Sequence, residues 1–302
     1  MIENIRKLSS FFWLKDKSLK YYVFKTEEQY SVFYLTQKNG KKRKITTPNL
    51  SLQLMQNKIL HQILNKHQRL DFVFGFYKDT NHIENAKYHQ DSKEMLNIDI
   101  KDFFESINTK QVYFVFNKIF EFDSKISTIL TRLTTYRGSL PQGASTSPAL
   151  SNLVFRNCDY RIKKLADKIG VKYSRYADDL TFSSEKPFNK KYLLKAVESI
   201  LKDNNFQINK SKTRFLSNHL FVTGLSIIDG EIKIPRYYIR DIEQQFYYIE
   251  KFGLSNHVKN VYGQDKDVDV YLEQLYGRIV YVFQVEKTLG KQFLTKFSDL
   301  IY

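Results

Sequence analysis

Lys172-Tyr173-Ser174-Arg175-Tyr176-Ala177-Asp178-Asp179-Leu180-Thr181-Phe182-Ser183 is strand-like on both sides of Ala177-Asp178-Asp179 and sets two carboxylates side by side where a strand bends. Adjacent residues on a straight strand face opposite ways, so a turn is what lets both acids approach one place. Two close carboxylates repel and raise one another's pKa unless a cation neutralises them; hard oxygen donors with no Cys or His nearby indicate Mg²⁺ rather than zinc. Upstream, Met95 to Lys101 alternates: Leu96, Ile98 and Ile100 point one way, Asn97, Asp99 and Lys101 the other. Asp99 therefore belongs to the polar face of a second strand. If it joins the pair, three carboxylates can hold two ions about 3.5–4 Å apart, the arrangement used for in-line displacement at a phosphate. A Tyr-Ala-Asp-Asp in isolation also fits an acidic turn in solvent, because turns favour Asp.

Composition asks for a polyanionic partner. The chain has 302 residues with 48 Lys plus Arg against 32 Asp plus Glu, a formal charge of +16. Residues 1–229 carry 38 basic and 22 acidic side chains and residues 230–302 carry 10 of each, so the whole excess lies in the first three quarters. Neutralising phosphates with such an excess releases condensed counterions; the competing reading is that Lys serves solubility. With 42% apolar residues the chain can bury a core. No stretch approaches the roughly 18 uncharged apolar residues of a membrane span, so no membrane partner is expected. One cysteine, Cys158, excludes an internal disulfide framework and a Cys-based zinc site and fits a reducing cytoplasm.

Eleven Gly, five Pro, no low-complexity linker and no repeat predict packed subdomains of mixed α and β character. Residues 30–46 alternate like a hairpin around Asn39-Gly40. Helical stripes run through Leu52, Met55, Ile59 and Ile63, through Val112, Val115, Phe116 and Ile119, and through Ile126, Ile129, Leu130 and Leu133. A further helix carries Leu150, Val154, Cys158, Ile162 and Leu165, with Ser147 as its cap, Pro148 in the first turn and Gly170 at its end. A helix near Lys190 to Leu201 and short strands from Thr213 to Ile228 follow. Beyond Pro235, stripes at Ile239, Ile242, Phe246 and Ile249 and at Val268, Leu272, Leu275, Ile279 and Val282 predict a small helical subdomain.

Several blocks stand in one order: Asn97 to Phe104, Leu140-Pro141-Gln142-Gly143, Ser147-Pro148 with Asn152, Tyr176 to Asp179, then Asn209 with Lys212-Thr213. In these the chain resembles reverse transcriptases from about Tyr34 to Ile228. Asn85-Ala86-Lys87-Tyr88-His89 and Val222-Thr223-Gly224-Leu225 are similar to the NAxxH and VTG signatures of bacterial retron reverse transcriptases. The resemblance implies an α+β right-hand polymerase with a palm built on an antiparallel sheet and a helical thumb. Its parts would be fingers over 1–94 with an N-terminal helical segment, palm over 95–228 with finger insertion helices around 105–140, and thumb over 229–302.

The resemblance also implies roles. Asp99, Asp178 and Asp179 would be catalytic and ligate two Mg²⁺ ions, with the backbone carbonyl of Ile100 as a further ligand and dNTPs as substrates. Phe104, five residues after Asp99, matches an aromatic wall that rejects a 2′-hydroxyl. Gln142 and Gly143 would lie near the incoming nucleotide. Of the run Lys41 to Lys44, Lys41 and above all Arg43 would grasp the triphosphate, a guanidinium offering two donors, unless the run is a solvated face. Lys212 would protonate the leaving pyrophosphate. Asn85, His89, Val222, Thr223, Gly224 and Leu225 would recognise RNA, and Tyr237, Tyr238, Phe246, Tyr247 and Tyr248 would lie along the product duplex unless they are core.

A retron enzyme would copy part of a structured noncoding RNA into DNA from a 2′-hydroxyl of an internal guanosine, keep the branched product bound and work with an effector in antiphage defence. With no nuclease, protease or maturase segment before Tyr302, that effector would be a separate polypeptide. A group II intron or diversity-generating reverse transcriptase, and a non-catalytic RNA-binding scaffold, are the competing expectations. The full acidic set argues against the scaffold, because unpaired carboxylates facing a polyanion weaken binding. A palm-fold nucleotide cyclase has no GGDEF-like turn in its favour.

Overall fold

The apolar spacings resolve into helices and short strands in a computed structural model that describes residues 4–36, 40–263 and 267–301. In chain order these are α1 (Ile5–Phe11), α2 (Asp16–Phe24), β1 (Tyr30–Thr36), β2 (Lys42–Pro48), α3 (Leu50–Gln62), α4 (His82–Tyr88), β3 (Glu94–Asp99), α5 (Thr109–Phe114), α6 (Ser124–Thr134) and α7 (Ser147–Lys168). Then come β4 (Lys172–Tyr176), β5 (Asp179–Ser184), α8 (Lys190–Lys202), β6 (Arg214–Ser217), β7 (His219–Val222), β8 (Leu225–Ile228), β9 (Glu231–Lys233), α9 (Arg236–Phe252), α10 (Leu254–Tyr262), α11 (Val268–Val285) and α12 (Lys287–Ile301). Asn39 of the expected Asn39-Gly40 turn lies outside the described residues, but the strands on either side pair antiparallel from Tyr30 with Pro48 to Thr36 with Lys42.

Two compact units are present, one of Met1–Asn81, Leu96–Phe182 and Phe188–Phe215, the other of His82–Met95, Ser183–Pro187 and Leu216–Tyr302. Residues 82–94, grouped with the fingers by their place in the sequence, thus fall in the second unit. The first unit buries Leu52 and Ile59 of α3, Leu130 and Leu133 of α6, and Leu150, Phe155 and Ile162 of α7. Asn49 caps α3 by accepting from Leu52 N–H at 3.0 Å and Asp123 caps α6 through Lys125 and Ile126 N–H, each satisfying donors that a helix start leaves open. A four-stranded sheet runs in the order β4-β5-β3-β6. The second unit packs the three-stranded sheet β7-β8-β9 with Ile242, Phe246 and Ile249 of α9 and Leu275, Ile279 and Val282 of α11.

Three local expectations change. Ser147 is the first residue of α7 rather than its cap: Thr146 precedes the helix, and the Ser147 hydroxyl donates to the Pro141 carbonyl at 2.8 Å, fastening the helix start to the Leu140-Pro141 loop. The stripe from Val112 to Ile119 is not one α-helix, because α5 widens into a π-turn over Val115–Ile119. Asp99 lies on the polar face of β3 by alternation, yet it is only 6% exposed, so that face is polar and interior at once. Among the described residues no helix is long and apolar enough to cross a membrane.

Candidate active site

The turn between β4 and β5 is held from beneath by a buried charge. Arg175 and Asp159 are both completely buried. The Arg175 Nε donates to Asp159 Oδ1 at 2.9 Å and its Nη2 to Oδ2 at 2.7 Å, while Tyr173 OH donates to the same carboxylate at 2.8 Å. The remaining arm, Nη1, donates to Asn152 Oδ1 at 2.9 Å and to the Ala177 carbonyl at 3.1 Å. Burial works against the Arg175 charge, and the Asp159 carboxylate outweighs it, so the guanidinium is held above its ordinary range. Ala177 has φ 57°, in the left-handed region that disfavours a side chain. The arginine, by gripping its carbonyl, opposes relaxation of that turn. Asn152 also donates to the Gly75 carbonyl at 3.0 Å, and a Cβ at Gly75 would lie 2.3 Å from Ala177 N. Only glycine lets this backbone lie against the turn.

Held this way, the turn brings three acids within electrostatic reach. Ile100 N–H donates to the Asp178 carbonyl at 2.9 Å, tying the end of β3 to the turn. Burial and then the Asp99 charge push the Asp178 carboxyl up, against relief from its own backbone N–H, Lys212 and Arg43. Asp179 is pushed up to about 7 by desolvation, then by Asp178 and Asp99. Because Asp179 is itself exposed, the repulsion from its two neighbours is the part of that shift that the geometry secures. The nearest relief is Lys212, whose Nζ donates to Asp99 Oδ2 at 2.7 Å and whose pKa is raised by that bond and by all three acids.

With Asp99 turned to Lys212, no group of three or more His, Cys, Asp or Glu side chains among the described residues stands as a ready metal cage. The donors nevertheless fit a hard divalent cation by kind: carboxylate oxygens, a net negative field, and an ammonium standing where positive charge is needed.

Around this centre the Arg43 Nε donates to Gln142 Oε1 at 2.9 Å, and Thr46 N–H to the Gln142 carbonyl at 2.7 Å. Gly143 has φ 129°, and a Cβ there would sit 2.8 Å from the Thr46 carbonyl. The β1–β2 hairpin and the Leu140 to Gly143 loop therefore meet backbone to backbone, with Arg43 and Gln142 paired; Lys41 is exposed farther along the hairpin. Phe104 is half-buried, its ring 5.9 Å from Phe76 and 5.7 Å from Phe103. Phe103 packs on Phe155, and Phe155 lies 4.8 Å under the Arg175 guanidinium. Phe104 and the acidic turn thus share one foundation.

The residues expected to read RNA are placed differently. Asn85 and His89 are completely buried, with His89 Nδ1 2.6 Å from the Ser183 hydroxyl, itself 2.8 Å from that of Ser92. Their side chains offer no surface to RNA in this conformation. Val222 and Leu225 are likewise buried and face each other across β7 and β8. Only Thr223 and Gly224, both with positive φ, form the tip of that hairpin, and Thr223 Oγ1 donates to the His82 carbonyl at 3.2 Å. The sequence reading missed Asp159 and Arg175. The available signal was polar Asn152 and Asp159, seven residues apart on a helix face otherwise apolar.

Comparison with known proteins places this geometry. The family model for reverse transcriptase (RNA-dependent DNA polymerase) matches residues 35–250. The chain is 31% identical over 304 residues to the Retron Ec86 reverse transcriptase of Escherichia coli, covering 98% of this chain and 93% of that one. It is 31% identical over 268 residues to the Retron Se72 reverse transcriptase of Salmonella heidelberg, covering 85% and 71%. The solved structure of apo telomerase from Candida tropicalis superposes with a TM-score of 0.53 at 12% identity, over 90% of this chain and 58% of that one, so this chain spans little more than half of it and the likeness concerns the fold. The fold is that of a nucleic-acid polymerase. The chain belongs to the reverse transcriptases, and among them to the bacterial retron enzymes, and is an RNA-directed DNA polymerase. As such it is divalent-metal-dependent, uses dNTPs and takes RNA as template.

Two outcomes follow from the geometry. Asp159→Ala leaves Arg175 buried without its counter-charge and should cost about 3–5 kcal/mol of stability, read by denaturant unfolding; a loss under about 1 kcal/mol would mean water already solvates the arginine. Asp179, at about 7 against an ordinary 3.8, keeps in the folded state a proton that the unfolded chain releases between those values. Metal-free protein should therefore lose stability as pH rises through that window, and Asp179→Asn should flatten the dependence. Thermal unfolding in chelator across the window measures it.

Proposed function

We propose that the chain copies part of one structured noncoding RNA into single-stranded DNA, starting from a 2′-hydroxyl of that RNA and leaving a branched RNA–DNA hybrid. The observation that carries the catalytic part is the convergence of the Asp99, Asp178 and Asp179 charges, with Lys212 as their counter-ion. Two Mg²⁺ ions bound by these acids and the Ile100 carbonyl would supply a polarised primer hydroxyl and a stabilised pyrophosphate leaving group.

The chain's own groups do the rest. Arg43, steered by Gln142, binds phosphate oxygens of the dNTP, with Lys41 adding charge from the same hairpin. Gln142 and Gly143 line the base, and Gly143 admits the backbone closely. Phe104, braced by Phe76 and Phe103, closes the space a 2′-hydroxyl needs. Lys212, released from Asp99, carries its proton to the departing pyrophosphate. Residues 1–94 serve as fingers, 95–228 as palm and 229–302 as thumb. Asn85 and His89 serve RNA recognition from inside, by fixing the segment that carries them, while Thr223 and Gly224 meet nucleic acid at the tip that Val222 and Leu225 anchor. The proposal extends to a role in antiphage defence with a separate effector protein, which the resemblance of the Asn85 to His89 and Val222 to Leu225 segments to retron signatures implies.

Primer extension on an RNA template should vanish in Asp178→Asn plus Asp179→Asn while RNA binding persists; undiminished synthesis would remove the acids from the chemistry. Phe104→Ala should raise ribonucleotide incorporation by about tenfold or more, and unchanged sugar selectivity in single-nucleotide assays would remove the wall. Nucleic acid copurifying with the protein, digested separately with RNase and DNase, should prove to be RNA joined covalently to short DNA. Recovery of unlinked RNA alone after dNTP supply would contradict branched priming.

A further inference from the structure

α1 ends in a hydrogen-bond pattern that ordinarily takes glycine. Leu14 N–H donates to the Ser9 carbonyl at 2.9 Å and Trp13 N–H to the Ser10 carbonyl at 3.0 Å, the paired bonds of a Schellman cap. The residue in its left-handed position is Trp13, with φ 56°. Glycine adopts that conformation without penalty, whereas a bulky side chain there is an outlier. The strain is not offset by burial, since Trp13 is 85% exposed. The chain's sole tryptophan thus costs the backbone something and leaves an indole in water. Neither serves folding, and strain at an exposed aromatic points to contact with something outside the fold.

Its surroundings say what kind of contact. Lys58 Nζ stands 3.1 Å from the centre of the Trp13 ring and 5.1 Å from that of Phe11, and among the described residues Lys58 makes no ion pair. A cleft of about 380 Å³ opens beside the indole between α1, α2 and α3, with Tyr22, Leu54 and His61 on its walls. A neighbouring cleft that shares Leu14 and Tyr22 adds Lys17 and Tyr21, and another that shares Gln62 adds Lys7 and Lys66. Glu121 is the one carboxylate among the described residues lining the three. Aromatic faces beside ammonium groups suit a ligand that alternates flat rings and phosphates. An apolar peptide would leave the Lys58 charge uncompensated.

We propose that Trp13 and Lys58 form a stacking site for single-stranded nucleic acid, a base lying on the indole and a phosphate meeting the ammonium. None of the residues of the candidate active site takes part. The site depends on the polymerase reading only in that the chain meets RNA and DNA, and RNA template and DNA product offer the same chemistry to it.

Trp13 supplies its own readout, because emission excited at the indole reports on this position alone. The full-length protein is titrated with unstructured oligouridylate and, separately, oligothymidylate of about 12 nucleotides. Saturable quenching is expected; quenching by the ribo-oligomer assigns the site to RNA, by the deoxy-oligomer to the DNA product, and by both to either strand. Lys58→Gln should shift the midpoint of quenching roughly five- to tenfold, the scale of one lost stacked contact. Trp13→Gly should keep or raise the melting temperature, since it relieves the left-handed strain, while weakening binding of a labelled oligomer. Catalytic turnover on a saturating short primer–template should not change. Emission unmoved by either oligomer at concentrations that saturate the protein would overturn the proposal and leave a protein partner as the occupant. So would a Trp13→Gly variant that melts lower yet binds the oligomers as before, because the indole would then be structural.

Discussion

The ion pair between Arg175 and Asp159 is the interaction on which the catalytic end of the fold depends. Both groups are out of water, and a buried pair is seldom worth more to stability than apolar residues of the same volume. What it supplies is position. One carboxylate takes three hydrogen bonds from Arg175 and one from Tyr173, which leaves the guanidinium a single orientation. In that orientation its free arm reaches the Ala177 carbonyl, inside the turn that carries Asp178. The cost of burying charge in the core is exchanged for a turn whose acids cannot drift apart when they repel.

They do repel, and the fold leaves that tension unresolved within the acids. Asp178 and Asp179 are both shifted toward the protonated form even though the Lys212 charge relieves them, and the one hydrogen bond Lys212 gives the cluster goes to Asp99. A site that satisfied its own charges would have no affinity left for cations or for the phosphates they carry. The exposed ammonium of Lys212, on a side chain that is 60% accessible, is a counter-ion that can be exchanged at little cost. Preorganised geometry with displaceable charge is what phosphoryl transfer asks of a protein.

Much of this could be read from the chain because the chemistry lies in short segments with strict spacing. Alternation put Asp99 on the polar side of β3, and block order joined it to Asp178 and Asp179. Helical spacing located α3, α6 and α7. What escaped were properties that depend on distant partners. Asp159 is an ordinary helical acid until Arg175 arrives from β4. Ser147 matches a cap by type, but the Pro141 carbonyl claims its hydroxyl. Asn85 and His89 belong to a recognisable signature, yet a seven-residue helix that carries the first and ends just before the second is too short for periodicity to say that both are enclosed. Trp13 gave no signal at all, since a Schellman cap is recognised by its glycine and here the glycine is absent.

The β1–β2 hairpin shows how the rigid centre is joined to an adaptable part. Val32, Phe33, Tyr34 and Leu35 are all exposed, so the far end of the hairpin owes little to core packing and is held by its own ladder of paired strands. Toward its base it is fastened to the Leu140 to Gly143 loop by Thr46, Gln142 and the close approach at Gly143. An element with few buried contacts lies at the low end of local stability, and one anchored near its base can swing there without disturbing what it is anchored to. Arg43 sits between anchor and tip and is steered by Gln142. Any movement of the hairpin about that anchor would thus be felt first at Gln142, because one hydrogen bond joins Arg43 of the strand to the side chain of the loop.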